Sequence, residues 1–244
     1  MTEATRTVMA DDEAMEESGA EAGRATAATR SELAYVELKR RVLDNAFPVG
    51  SFFLEQELAD LLNMSRTPIR EALVRLANEG LVEIRPRHGM RVLPISPEDM
   101  REIYTILTAL EAEVAAEVAA RGLSDEELAT LRKAVADMDA ALAADDLDAW
   151  AVADAWFHRS LVGASANQRL RSVISQYWEQ AHRVRMLTLR LRPKPVRSTQ
   201  EHLALVNAIE ARDPKLAWQI HRTHREQAAD MLAEILSSHR LTNL

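Results

Sequence analysis

Hydrophobic residues recur at the spacing of a helix face along most of the chain after residue 30. The clearest stripe follows Ser65, where four apolar side chains share one face of a helix with 3.6 residues per turn. Ser65 stands where an N-cap belongs, and Pro68 falls in the first turn, where a missing amide hydrogen costs little. We therefore predict a helix that buries Ile69, Ala72, Leu73 and Leu76.

Three polar side chains of this predicted helix, Arg66, Thr67 and Arg70, lie off the buried stripe near its N-terminus. In the major groove of DNA an arginine can make paired hydrogen bonds to guanine, and the amides of a helix N-terminus can face phosphate. A solvated amphipathic helix explains this segment equally well when it is taken alone. The segments on either side of it favour DNA recognition.

Two shorter amphipathic helices precede this segment and a pair of strands follows it. Residues 31–46 and the leucine-rich stretch after Gly50 predict the two helices, and Gly80 ends the third. Two short alternating runs on either side of Gly89 predict a β-hairpin. The side chains predicted to turn inward on the first two helices are Leu33, Val36, Val42, Leu43, Leu54, Leu58, Leu61 and Leu62.

Basic residues gather around the turn of the predicted hairpin. Arg85, Arg87, His88 and Arg91 supply hydrogen-bond donors there for phosphate or for the minor groove. Three helices followed by a basic hairpin predict a winged helix-turn-helix domain over residues 31–94.

Residues 95–240 carry apolar stripes of helical period only. Ser96, Ser124 and Ser198 each precede an acidic residue by three positions, which is the pattern of a capping box. These helix starts predict an antiparallel bundle of six or seven helices. The predicted fold is therefore mainly α, with a winged helix-turn-helix followed by an all-α bundle.

Composition and charge narrow the class of protein further. The 244 residues suffice for two domains, and the lack of cysteine fits a reducing cytosol. The net charge of −8 is uneven, because residues 1–30 hold seven acidic residues against three arginines. This acidic, alanine-rich segment is predicted to be a disordered tail. No apolar run approaches the length of a membrane span, so we expect a cytoplasmic protein without a membrane segment.

Four ionisable residues fall on inward faces of three predicted bundle helices. Asp154 and His158 are one helical turn apart, and His202 and His224 lie on the apolar stripes of two later helices. A buried carboxylate needs a partner, and one divalent metal ion held by this carboxylate and three imidazoles would satisfy all four groups. Separate core histidines bonded to backbone carbonyls are the alternative, and His221 is a rival fourth ligand.

The predicted DNA-binding segments resemble those of one family of proteins. The matching residues are Pro48-Val49-Gly50, Leu58-Ala59, the stretch from Ser65 to Leu73, Leu76, Glu79-Gly80-Leu81-Val82 and Gly89. Together they resemble the DNA-binding domain of GntR-family bacterial transcription regulators. The resemblance implies that Arg66 and Arg70 read bases, and that Thr67, His88 and Gly89 support contacts to the DNA backbone or groove.

The C-terminal half resembles the FCD effector domain, found in the FadR branch of the same family. The similarity lies in the Asp-x3-His pair and the two later histidines, with support from Leu110-Glu111, Phe157-His158, Glu201-His202 and Ala208-Ile209. It implies a Zn²⁺, Ni²⁺ or Mn²⁺ ion and a small carboxylate effector. Many FCD domains hold the effector with an arginine at the position that Leu107 occupies here. The candidate effector contacts of this chain are Arg183, Arg185, Tyr177 and Asn207.

These features predict a ligand-responsive transcriptional regulator that acts as a repressor. It would bind a near-palindromic double-stranded DNA operator as a homodimer, and a small organic acid in the bundle would modulate that binding. Two alternatives stay open at this point. In one the metal ion itself is the signal, and in the other the bundle is a metal-dependent hydrolase.

Overall fold

The computed structural model describes residues 29–85 and 89–238. The predicted disordered tail therefore lies outside the described residues, apart from its last two positions. Arg87 and His88 of the predicted wing tip lie outside them too.

Within the described residues, the N-terminal unit has three helices and a small antiparallel sheet. Its two longer helices pack against each other, and the sheet closes one end of the helices. The elements are α1 (Arg30–Leu43), β1 (Phe52–Phe53), α2 (Glu55–Leu62), α3 (Arg66–Asn78), β2 (Val82–Arg85) and β3 (Gly89–Val92).

The C-terminal unit is entirely helical within the described residues. The first and last of its long helices form the most extensive helix pair of the molecule. A short 3₁₀ turn, Leu189–Leu191, follows the fourth helix. The α-helices are α4 (Pro97–Arg121), α5 (Asp125–Ala143), α6 (Leu147–Gly163), α7 (Gln168–Leu187), α8 (Val196–Glu210) and α9 (Pro214–Ser238).

The predicted recognition helix has the predicted core face. Ser65 occupies the N-cap position of α3 in extended backbone conformation, but its side chain makes no capping hydrogen bond. All four apolar residues of the stripe are almost fully buried. Gly80 follows the C-cap with φ +70°, a conformation that glycine adopts at little cost.

Two other predicted core faces are partly wrong. Helix α1 packs on α3 through Ala34 and Leu38, so Leu33 and Val36 turn to solvent with 49% and 54% exposure. In α2, Leu58 is buried, whereas Leu54 is the N-cap residue and Leu61 lies on the outer face. When a short helix contains several leucines, periodicity allows more than one of its faces to be the buried one. Packing against the neighbouring helix decides which face is buried.

The sheet has one strand more than the predicted hairpin. Its order is β1-β3-β2, and the added strand pairs Phe53 with Met90. A side chain at Gly89 would meet the carbonyl oxygen of Phe53 at 2.1 Å, and Gly89 also has φ +75°. This close approach requires glycine, so Gly89 shapes the base of the wing through its backbone.

The bundle begins its helices mostly where the capping pattern predicts. Ser96 and Ser124 both accept a hydrogen bond from the third backbone amide of the helix that follows. The predicted cap at Ser198 is wrong, because α8 already begins at Val196 after Pro195. The carbonyl of Ser198 has another role in the bundle, described below.

Helix α7 joins the two units by direct hydrogen bonds. Gln180 donates to the carbonyl of Glu79 at 2.8 Å, and Arg183 donates to the carbonyl of Leu93 at 2.7 Å. Glu179 forms an ion pair with Lys39 of α1. One helix of the bundle therefore contacts the first helix of the DNA-binding unit, the end of α3 and the residue that follows β3.

Candidate functional site

The N-terminal end of α3 presents the predicted base-reading residues to solvent. Arg66, Thr67 and Arg70 are exposed, and Pro68 and Ile69 between them are buried. The apolar residues thus fix the helix on the domain core, while the polar residues face outward as a group. This is the placement that a helix in the major groove requires.

Glu55 contacts both arginines. It accepts hydrogen bonds from Nε and Nη2 of Arg70 at 3.2 and 2.8 Å and from Nη2 of Arg66 at 3.1 Å. The hydrogen bond from Arg70, together with that from Arg66 and against the opposing effect of burial, lowers the pKa of Glu55. This contact could not be predicted from the sequence, because Glu55 lies on α2 and meets the arginines only when the helices pack.

The described base of the wing is also basic. The guanidinium carbons of Arg85 and Arg91 lie 5.4 and 5.5 Å from the centre of the Phe52 ring. An exposed phenylalanine from β1 therefore supports both cations on the outer face of the sheet.

The structure brings the four predicted metal ligands together in the centre of the bundle. Helix α6 supplies Asp154 and His158, α8 supplies His202, and α9 supplies His224. All four residues are buried. The ring centres of His158 and His202 are 5.0 Å apart, and those of His202 and His224 are 4.6 Å apart.

The hydrogen bonds at Nδ1 leave Nε2 of His202 and of His224 as the nitrogens that can bind a metal ion. Nδ1 of His202 lies 2.7 Å from the carbonyl oxygen of Ser198, and Nδ1 of His224 lies 2.8 Å from Oε2 of Glu201. Both partners are acceptors, so the proton belongs on Nδ1 and the lone pair on Nε2. Carbonyl or carboxylate partners of this kind orient histidine ligands in metal sites.

The spacing of the free nitrogens fits one ion. Nε2 of His158 and Nε2 of His202 are 3.2 Å apart, and Oδ1 of Asp154 is 3.7 Å from each. Two imidazole nitrogens that bind one Zn²⁺ ion at about 2.1 Å lie roughly 3.0–3.4 Å from each other. Three imidazole groups and one carboxylate are also a common donor set for divalent transition metals.

A second layer of buried charge supports this cluster and was not predicted. Glu111 of α4 and Arg225 of α9 are fully buried and form an ion pair. Glu111 also accepts from Nε2 of His221 at 3.0 Å and lies 3.5 Å from Nδ1 of His158. His221 thus bonds to Glu111 and is a poorer candidate for a fourth ligand than its sequence position suggested.

Burial and neighbouring charges keep the histidines neutral and the carboxylates ionised. Burial lowers the pKa of His158 to about 3 and that of His221 to about 4, and it lowers the pKa of His202 well below its usual value. Burial alone would raise the pKa of Asp154, but the charge of Arg185 and the smaller electrostatic effects of His158, His202 and His224 together outweigh burial and hold that pKa well below its usual range. Neutral imidazoles beside a carboxylate are the protonation states that a metal ion needs.

A cavity of about 320 Å³ opens beside the cluster. Asp154, His158 and His224 form part of its wall. The predicted contact Arg185 also lines it and donates to Oδ2 of Asp154 at 3.0 Å. A cation therefore lies in the cavity even though Leu107 replaces the arginine of many FCD domains.

Three other predicted effector contacts lie elsewhere. Arg183 is buried but points to Leu93, Tyr177 packs against the bundle core, and Asn207 is exposed on α8. Residues two apart on a helix face different directions, which separates Arg183 from Arg185. The cavity contains a cation that the sequence did not single out, Arg192.

A winged helix-turn-helix joined to a helical bundle with an internal cavity defines the class of DNA-binding transcriptional regulators. The chain belongs to the GntR family within that class. The family model described as bacterial regulatory proteins, gntR family, matches residues 30–92, and the FCD domain model matches residues 102–227.

Similar proteins are transcriptional regulators. A regulator in the TAR-I ttuE-ttuC' intergenic region of Agrobacterium vitis is 41% identical over 58% of this chain and 84% of its own length. A probable D-xylose utilization operon transcriptional repressor of Paenarthrobacter nicotinovorans is 31% identical over 72% of this chain and 76% of its own length. The HTH-type transcriptional repressor RspR of Escherichia coli K12 is 26% identical over 82% of this chain and 88% of its own length. The matched families and relatives are transcriptional regulators and not enzymes, so this protein is a transcriptional regulator.

Solved structures share the fold. Escherichia coli McbR/YncC superimposes with a TM-score of 0.73 at 21% identity, over 85% of this chain and 98% of the other. A putative GntR regulator from Rhodococcus superimposes with a TM-score of 0.69 at 22% identity, over 83% and 97%. None of the helices in the described part of the chain has the length and apolar character of a membrane span.

Proposed function

We propose that this regulator is a cytoplasmic repressor whose bundle binds one divalent metal ion and a small carboxylate effector. This proposal is carried by three imidazole groups whose ring nitrogens lie within 4.8 Å of one another beside a cavity, with Oδ1 of Asp154 3.7 Å from two of them. Zn²⁺, Ni²⁺ and Mn²⁺ all suit these donors. When bound, such an ion offers further coordination positions to carboxylate oxygens.

The DNA-binding half of the proposal rests on the exposed end of α3. Arg66 and Arg70 would read bases, with Thr67 contacting the backbone and the wing lying against the groove. Arg87, His88 and Gly89 stay candidate wing contacts, although a buried Gly89 would act through its backbone.

We also propose that the protein binds its operator as a homodimer, because one winged domain offers few base contacts and symmetric half-sites supply the rest. Val152 and Trp156, one turn apart on α6, are 70% and 54% exposed. A large aromatic residue on an open helix face is typical of the core of a protein interface.

The proposal is tested by metal content and operator release. His224→Ala removes one ligand, so the purified variant should lose the ion that reconstituted wild-type protein carries, and carboxylates should no longer release its operator. Operator binding without effector should persist, since the winged domain has its own core. Elemental analysis and a gel-shift assay measure both effects.

The matched control is His182→Ala, which alters a histidine stacked on Trp178 outside the cluster and should keep the ion. Wild-type protein that holds no ion after reconstitution would make the cluster a group of core histidines. Release of the operator by the ion alone would identify a metal sensor instead.

A further inference from the structure

The cavity beside the histidine cluster contains more hydrogen-bond donors than the protein itself satisfies. Nε and Nη2 of Arg185, Nε of Arg192 and the hydroxyl of Tyr104 are buried and have no hydrogen-bond partner among residues 29–85 and 89–238. All three residues line the cavity. Buried donors without partners are costly, and several at one cavity indicate a ligand that supplies acceptors.

Within the described residues, most arginines around the cavity are paired with a carboxylate, but Arg192 is not. Glu111 neutralises Arg225, Asp154 neutralises Arg185, and Glu201 pairs with Arg197 at the cavity rim. Arg192 forms no ion pair with any carboxylate of the described residues. Its Nη2 donates to the carbonyl oxygen of Arg185 at 2.7 Å, which fixes the guanidinium at the cavity wall.

A divalent ion at the cluster would increase this positive charge by two. The ion and Arg192, which has no carboxylate partner in the described part of the chain, together carry about three positive charges. A ligand with two negative charges, one at the histidine cluster and one at Arg192, neutralises most of them. A single phosphate group concentrates both charges at one place, whereas a dicarboxylate separates them. A volume of about 320 Å³ lies at the small end of ligand sites.

We propose that the effector is a small dicarboxylate whose second carboxylate is bound by Arg192 and the hydroxyl of Tyr104. This inference rests on the proposed function, since the first carboxylate lies at the histidine cluster. Arg185 lines the cavity between the two ends, because it bonds to Asp154 and keeps two nitrogens without a described partner.

The experiment compares matched acids on full-length protein reconstituted with Mn²⁺. Isothermal titration measures the affinities of succinate and butyrate, of malonate and propionate, and of glutarate and valerate. Each pair has the same carbon number and differs in one carboxylate. At least one dicarboxylate should bind tenfold or more tightly than its partner, because only it pairs with Arg192.

Arg192→Gln should abolish this preference while monocarboxylate affinity and Mn²⁺ content stay unchanged, and Arg192→Lys should restore part of it. Arg190→Gln is the matched control, because Arg190 is exposed and pairs with Asp148. Circular dichroism checks that the variants fold. If the glutamine variant does not fold, the lysine variant still tests the role of the charge at position 192.

The outcomes separate the two proposals. Equal affinities within every pair, a preference that survives Arg192→Gln, or tighter binding of inorganic phosphate would each overturn the dicarboxylate inference and leave the metal proposal intact. Failure of the protein to retain Mn²⁺ or to bind any acid would overturn the proposed function itself.

Discussion

At the scale of single residues, the recognition helix and the bundle cavity have one feature in common, a carboxylate that orients arginine side chains. Glu55 holds Arg66 and Arg70 at the end of α3, and Asp154 holds Arg185 in the bundle. An arginine that is already oriented loses less conformational entropy when it binds its target. The contact at Glu55 therefore bears on how well the recognition helix discriminates between bases.

Glu55→Gln should reduce discrimination between operator and random DNA about tenfold, roughly 1.4 kcal/mol, because the arginines lose their charged partner. Affinity for random DNA should rise slightly, since one negative charge leaves the DNA-facing surface. Fluorescence anisotropy at fixed salt concentration with both DNAs measures the two effects.

Glu71→Gln is the control for charge alone, because Glu71 is exposed on α3 itself. If the Glu55→Gln variant distinguishes operator from random DNA as well as wild-type protein does, the Glu55 contact forms only in the absence of DNA and plays no part in recognition.

At the scale of elements, α7 is the helix that can connect the cavity to the DNA-binding unit. Arg185 lines the cavity, and Arg183, two residues earlier, donates to the carbonyl of Leu93 just after the wing. A rigid helix that carries contacts to both regions provides a physical connection between them. Burial lowers the pKa of Arg183 to about 10, which means that burying its charge is unfavourable. Its single described hydrogen bond, to Leu93, offsets part of that cost.

Arg183→Met should uncouple the two units, because it keeps the apolar length of the side chain and removes the bond to Leu93. The variant should bind Mn²⁺ and carboxylates like wild-type protein, while operator release by saturating effector should fall at least fivefold. Calorimetry and a gel-shift assay on one preparation measure binding and response separately.

The control for this prediction is Arg171→Met, which breaks an arginine–carbonyl bond between α7 and Ser165 inside the bundle. A full operator response from Arg183→Met would show that the signal passes through another contact, such as the bond between Gln180 and Glu79.

At the scale of the whole molecule, a net charge of −8 coexists with DNA binding because the charges are arranged by region. Acidic residues dominate the first 30 positions, whereas Arg66 and Arg70 are exposed at the start of α3 and Arg85 and Arg91 lie beside Phe52 at the base of the wing. Affinity for DNA depends on the local basic surface and on the number of such surfaces that bind together.

The second such surface is expected from a second copy of the chain. Light scattering should give twice the 27.3 kDa mass of one chain, and Trp156→Glu should shift the protein toward monomer and weaken operator binding. Leu216→Glu, at a 44% exposed position on α9, is the control. A monomeric wild-type protein would contradict the dimer proposal, and a dimeric Trp156→Glu variant would place the interface on another face.

Features that depend on a local repeat could be predicted from the amino-acid pattern alone. Helical periodicity and capping serines specified most elements, the core face of α3 and the two-part fold, because these signals depend on neighbours within a few residues. The same periodicity predicted that Asp154, His158, His202 and His224 face inward. The apolar face of a helix packs toward the protein core, so polar residues on that face are carried inward with it.

Tertiary structure decided which groups meet. The third strand, the contact of Glu55 with two arginines and the pair of Glu111 with Arg225 join residues distant in sequence, and single-helix periodicity carries no information about such distances. Asn207 and Arg192 illustrate the same limit, since the first faces solvent and the second lines the cavity. Only the packing of α7, α8 and α9 around one cavity fixes those directions, because a small rotation of any helix exchanges the side chains that it presents.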